Sequence, residues 1–212
     1  CIRDRIYTVD YPLEKAKEAY AALLAREEKK RREKAEEDGE DPDEGRSTVK
    51  RPDPLEQSKC SVVRICKSRD QYIEYGGSPR SAGYWNYVAE ELVLYDDKAM
   101  GGRENTWAVL NHEAFHQYIF YFYGNLSPHS WYNEGTGDFY SGYKLSSRKK
   151  FVLERFEWRE ETIKEEIKEE ATVPLERLVR MTQGEYYASN ELGNSRYPQG
   201  WSFNYYLRTG KK

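Results

Sequence analysis

The stretch Asn111-His112-Glu113-Ala114-Phe115-His116-Gln117 decides how the rest of this chain is read. It contains His-Glu-x-x-His. Residues four apart share one face of an α-helix, so a helix here points the imidazoles of His112 and His116 at one ion. Glu113 lies about 100° round the axis, placed to touch a water beside that ion without ligating it. Two imidazoles, a metal and an adjacent carboxylate base are the parts needed to hydrolyse an amide. The chain holds three histidines, and two of them fall in this motif.

The flanking residues predict the motif helix over about 106–123. Apolar Trp107, Val109, Leu110, Ala114, Phe115, Ile119, Phe120 and Phe122 surround it on nearly all sides, the pattern of a buried central helix. Polar groups buried on such a helix need partners, and a metal supplies one. Gly101-Gly102 breaks the chain before it, and Gly124-Asn125 reads as its C-terminal stop. Pro128 and Ser130 lead into a second helix containing Trp131-Tyr132-Asn133-Glu134-Gly135-Thr136-Gly137-Asp138. Two histidines leave a catalytic metal site short of a ligand. Glu134 follows His116 by 18 residues, which suits a turn and an antiparallel helix returning to the ion. Asp138 shares the face of Glu134 and is placed to hydrogen-bond the outer nitrogen of a ligand histidine. His129, in the intervening loop, is expected to be exposed.

His-Glu-x-x-His followed by Trp-Tyr-Asn-Glu-Gly, with an Asp four beyond the Glu, resembles the gluzincin metallopeptidases, the thermolysin and aminopeptidase superfamily. From about Gly83 to Arg208 the chain is similar to the bacterial peptidase-MA-like proteins of uncharacterised function. The resemblance implies a zinc cofactor held by His112, His116 and Glu134, Glu113 as general base, and Asp138 as partner of a ligand histidine. It implies a peptide or protein substrate. Tyr197-Pro198-Gln199-Gly200 is similar to the Tyr-x-Lys-Gly segment of gluzincin aminopeptidases. That match puts Tyr197 in the role of hydrogen-bond donor to the oxyanion, with Gln199 where the family has Lys. The structural alternative is that Tyr197 packs at a helix start, since Pro198 suits a first turn; Tyr205 is the reserve donor. Gly101-Gly102-Arg103-Glu104-Asn105 looks like the motif by which some gluzincin aminopeptidases hold a substrate N-terminus. Arg103 replaces its Met, and the segment lies too close to His112, so no exopeptidase role is carried over.

Composition sets the wider frame. At 212 residues the chain is long enough for one domain with a real core. Mean hydropathy is −1.00, yet aromatics make up 15%, with 19 tyrosines, which argues against global disorder. The net charge of −3 gives no nucleic-acid footprint. The clusters Lys29-Lys30-Arg31-Arg32 and Arg148-Lys149-Lys150 sit among acids and read as solvated helix faces. The cysteines Cys1, Cys60 and Cys66 contain no Cys-x-x-Cys, so a cysteine metal site is not expected, and Cys60 and Cys66 read as the two ends of one strand. No transmembrane run is visible. The first residue is Cys rather than Met, as expected of an excerpt or processed product. The compartment is therefore left open, with an extracytoplasmic one favoured.

The remaining segments give an expected order of elements. Residues 5–11 read as a strand, followed by a helix from about Leu13 whose half from Arg26 to Asp38 is charged and solvent-facing. Residues 39–58 read as a flexible acidic loop. Ser61–Lys67 is a strand, Ser68 caps a short helix over 69–75 that Gly76-Gly77 stops, and 81–87 with 91–95 form two paired strands. Gly83 and Tyr84-Trp85-Asn86 suit a sheet edge, which offers backbone groups to an extended peptide. Residues 151–170 read as a charged, solvated helix, and 174–179 as a short one. The expectation is a single α+β, zincin-like domain over 1–212. A small, mainly antiparallel sheet lobe over 1–100 and a helical lobe over 101–212 would hold the metal site in the cleft between them. The competing classes are a non-catalytic zincin-fold binding or structural module, and a metal hydrolase of a non-peptide amide.

Overall fold

The computed structural model describes residues 13–39, 62–96, 102–123, 128–146 and 150–210. The strand expected at 5–11, the loop expected over 39–58 beyond Gly39, Cys1, Cys60, and the stop at Gly124-Asn125 lie outside the described residues. The described chain is a mixture of helices and small sheets, an α+β composition.

Helix α1 (Leu13–Asp38) belongs to the first of two compact units, which also takes in residues 121–123. From Lys29 to Asp38 it is exposed except at Ala35, the one uncharged position. Glu28 accepts from Arg31 and Arg32 at 2.9 and 3.0 Å, and Lys29 pairs with Glu33. Such surface pairs one turn apart add a few tenths of a kcal/mol each, about 0.2–0.5.

The second unit opens with a three-stranded sheet of β1 (Val62–Cys66), β2 (Gly83–Asn86) and β3 (Glu91–Tyr95), in the order β1-β3-β2. The chain runs along β1, returns in β2, and inserts β3 between them. That path makes β3 antiparallel to β2, with Trp85 opposite Leu92, and parallel to β1, with Arg64 opposite Val93. The strand pair expected over 81–87 and 91–95 is present as β2 and β3, while the parallel pairing of β1 with β3 departs from the mainly antiparallel sheet read from the sequence. The parallel pairing arises because the short helix α2 (Arg69–Glu74) does not carry the chain back past the sheet. Ser68 caps α2 by accepting from Gln71 N–H at 3.2 Å, and Gly76, at φ +107, turns the chain out of it. Tyr72, Cys66 and Val93 form a buried cluster beneath, with Ile73, Tyr84 and Tyr95 against it. Leu92, Val93 and Leu94 are all buried, as a central strand covered on both faces requires.

Helix α3 (Gly102–Tyr123) carries the His-Glu-x-x-His motif and starts four residues earlier than predicted. Phe115, Tyr118 and Ile119 are buried, but Trp107 is half exposed, so its first turns have a solvent face that the apolar ring did not predict. Helix α4 (Ser130–Ser141) is buried from Glu134 to Ser141. It runs antiparallel to α3: Asn133 meets His116, Asp138 meets His112, and Ser141 Oγ donates to Ala108 O.

A hairpin of β4 (Tyr143–Leu145) and β5 (Phe151–Leu153) follows. The helix expected over 151–170 is therefore corrected. Phe151-Val152-Leu153 is a run of bulky apolar residues with strand preference, and it pairs back on Tyr143–Leu145. The helix begins after Phe156 as α5 (Glu157–Lys168), with Glu157 and Glu160 in its first turn, where carboxylates suit the helix dipole. It buries Ile163 and Glu166 and leaves Ile167 exposed. Short helices α6 (Leu175–Leu178) and α7 (Gln183–Tyr187) lead to α8 (Tyr197–Thr209). Helix α8 packs on α4 through Asn204, which accepts from Thr136 Oγ1 at 3.0 Å and donates to Trp131 O at 3.1 Å.

Candidate metal centre

The antiparallel pairing of α3 and α4 brings the motif residues together. His112 Nε2 lies 3.2 Å from Glu134 Oε2, and His116 Nε2 lies 3.4 Å from the same oxygen. His112, His116 and Glu134 form a group able to hold a metal ion, their ligand atoms all within 4.8 Å of one another. The outer nitrogens are fixed separately. His112 Nδ1 is 3.0 Å from Asp138 Oδ1, and His116 Nδ1 is 3.2 Å from Asn133 Oδ1. A carboxylate and an amide oxygen only accept, so each Nδ1 carries the proton and donates. In a neutral ring the Nε2 then turns a lone pair toward the Glu134 carboxylate. Two lone pairs and a carboxylate oxygen converging at this spacing repel one another unless a positive charge sits among them.

A proton on an Nε2 is one such charge, and the electrostatics favour it. Burial lowers the His112 imidazole, but hydrogen bonds to Asp138 and Glu134 outweigh it and hold it well above the usual histidine value. His116 is raised in the same way, its burial overcome by the Glu134 carboxylate. Glu134 would be raised by burial, yet the charge of His116 and bonds from both imidazoles hold it well below the usual carboxylate value. The pocket favours cation beside anion.

Glu113 is near the ligands without joining them. Burial pushes its carboxyl up, His116 and His112 pull it down, and the backbone N–H of Trp85 hydrogen-bonds it. Strand β2 thus borders the site. A Cβ at Gly83 would lie 2.7 Å from Val109 Cγ1 and 3.1 Å from Glu113 Cγ, so glycine lets β2 approach α3 this closely.

Tyr197, the first residue of α8, stacks on His112 with ring centroids 6.2 Å apart and 22° between planes. Its hydroxyl is hydrogen-bonded with Glu134 and Tyr187, and burial raises it far above an ordinary tyrosine. The packing at a helix start is present, since Pro198 occupies the first turn, and the same position sets the Tyr197 hydroxyl beside Glu134. Tyr205 packs instead on Phe139 and Trp201. Gln199 clamps the backbone of Val173, accepting from its N–H and donating to its carbonyl. His129 is exposed at the start of α4.

Three partners escaped the sequence reading. Asn133 stands beside Glu134 in the quoted stretch, and an antiparallel helix makes it a neighbour of His116. Tyr187 Oη donates to Glu134 Oε1 at 2.6 Å. It sits on α7, whose start carries a capping box between Thr182 and Glu185, a signal present in Thr-x-x-Glu. Arg159 Nε donates to Asp138 Oδ2 at 2.6 Å. Nothing in the charged run around Arg159 separates it from its solvated neighbours.

No protein family, curated protein or solved structure gives a match to this chain.

Proposed function

We propose that this protein is a zinc-dependent metallopeptidase of the gluzincin type, acting on a peptide or protein substrate. The observation that carries the reading is the convergence of His112 Nε2, His116 Nε2 and Glu134 Oε2 with the half-buried carboxyl of Glu113 beside them. Ligand atoms about 2.0–2.1 Å from a tetrahedral zinc lie about 3.3 Å apart, and the two separations involving Glu134 are 3.2 and 3.4 Å. Charge-assisted hydrogen bonds are shorter, about 2.7–2.9 Å. Three protein ligands leave a fourth position for chemistry.

Zinc, when bound, supplies Lewis acidity that polarises a carbonyl and acidifies water. His112, His116 and Glu134 would hold it, with Asp138 and Asn133 fixing the imidazoles. Glu113 takes the proton from the attacking water and passes it to the leaving amine; a carboxyl raised by burial suits both transfers. Tyr197 offers its hydroxyl to the negative charge that develops on the carbonyl oxygen. Strand β2, at the edge of its sheet among the described residues, offers its outer edge to an extended substrate.

The test is Glu113→Gln with metal content and turnover measured together. The expected result is wild-type zinc content with peptide hydrolysis lost by several orders of magnitude. Wild-type turnover in that variant would overturn the mechanism. A wild-type protein that retains no zinc would overturn the metal assignment.

A further inference from the structure

We infer that Arg159 is a positioning residue for the metal centre, acting through Asp138 to hold His112 in its ligating orientation. The inference rests on the reading of this site as a metal site. The neighbouring cations of this charged stretch are solvated: the side chains of Arg155, just before α5, and of Lys164 and Lys168 within it are 67%, 68% and 81% exposed. That of Arg159 is 13% exposed.

Its placement is specific. Arg159 Nε meets one oxygen of Asp138 at 2.6 Å, and the other oxygen meets His112 Nδ1 at 3.0 Å. The guanidinium also lies over three rings, 4.3 Å from Trp158, 5.1 Å from Tyr197 and 6.0 Å from Phe156. Tyr197 in turn stacks on His112. Arg159 is therefore held by aromatic faces and directed at the one carboxylate that fixes a ligand histidine. A planar cation with an in-plane N–H fits this slot; a lysine ammonium does not reproduce the stacking or the directed bond.

A purely structural role, in which Arg159 merely fastens α5 to α4, predicts lost stability with unchanged metal affinity. Positioning predicts the reverse weighting. Partners of ligating histidines typically contribute about 10–100-fold to metal affinity.

The experiment titrates zinc against a chromophoric chelator in wild type, R159M, R159K, D138N and the double variant R159M/D138N, with thermal melts and cobalt absorption spectra for each. R159M is expected to bind zinc about tenfold more weakly, with an altered cobalt spectrum, and R159K to recover little of the loss. The double variant is expected to bind no more weakly than D138N, since residues acting through one another are not additive. Zinc affinity in R159M within about twofold of wild type, or losses that multiply in the double variant, overturns the inference alone. Absence of zinc binding by wild type overturns it together with the metal-site reading. If R159M melts below the assay temperature, R159Q is titrated against the same criteria.

Discussion

Gly137→Ala sets stability and metal affinity against each other. Gly137 lies inside α4, where alanine ordinarily favours the helix by about 1 kcal/mol. A Cβ at this position would sit 2.8 Å from Cε1, 2.9 Å from Nδ1 and 3.0 Å from Nε2 of His112. These are ring atoms, and the ring is anchored at Asp138 and faces Glu134. Ordinary contact begins at 3.4 Å, so the imidazole must retreat by about half an ångström, beyond the roughly 0.2 Å that a metal–ligand bond tolerates. Crowding of this kind costs about 1–3 kcal/mol, partly offset by the helix gain. The expected outcome is a metal-free melting temperature within a few degrees of wild type and zinc binding weakened about 10–100-fold. Thermal melts by circular dichroism and chelator competition measure the two quantities. Wild-type zinc affinity in G137A would mean that the His112 ring does not lie against α4 when the site is loaded, and the ligand assignment would fail with it.

Tyr197→Phe is expected to lower kcat by about 10²–10³ while changing zinc affinity only a few-fold, with Tyr205→Phe unchanged in both; equal kcat in the two variants would remove Tyr197 from the chemistry. Glu166 is fully buried, and burial raises its carboxyl above the ordinary value, opposed by a bond from Asn190. A raised folded value means its contribution to stability is complete below the unfolded value near 4.5 and is lost as pH rises through the folded one. Wild type should therefore lose stability relative to Glu166→Gln between pH 4 and pH 7 in urea titrations; a difference that is flat, or that favours wild type more at pH 7, would contradict this.

The parts of the site that lay in periodic sequence were legible. His112, Glu113 and His116 needed only helix geometry, and Glu134 with Asp138 needed only a second helix folded back on the first. Elements marked by local chemistry were equally readable, such as the Ser68 cap and the glycine that ends α2. What failed depended on contacts between distant segments. Phe151-Val152-Leu153 was assigned to a helix because the charged run beyond it dominates the pattern, whereas its partner strand at Tyr143–Leu145 decides its state. Arg159 was submerged in the same run, since one buried cation among many solvated ones leaves no periodic trace. Tyr187 is brought to Glu134 from 53 residues away, through turns whose directions no local pattern specifies.

The competing reading, a metal-holding module without chemistry, has to account for Glu113. A structural zinc is closed by four protein ligands, and among the described residues the group at this site has three. Glu113 is not one of the three grouped ligands, and desolvation disfavours its charged form. A carboxyl partly withdrawn from water in this way costs stability unless something is gained. The backbone of β2 nevertheless approaches closely enough for Trp85 N–H to reach it, and glycine at position 83 is what permits the approach. A binding module would be better served by a glutamine or an apolar residue at position 113, which would hold the same space without the desolvation cost. The proposed acid–base role gives a carboxyl at this position a use, which the metal-holding module does not.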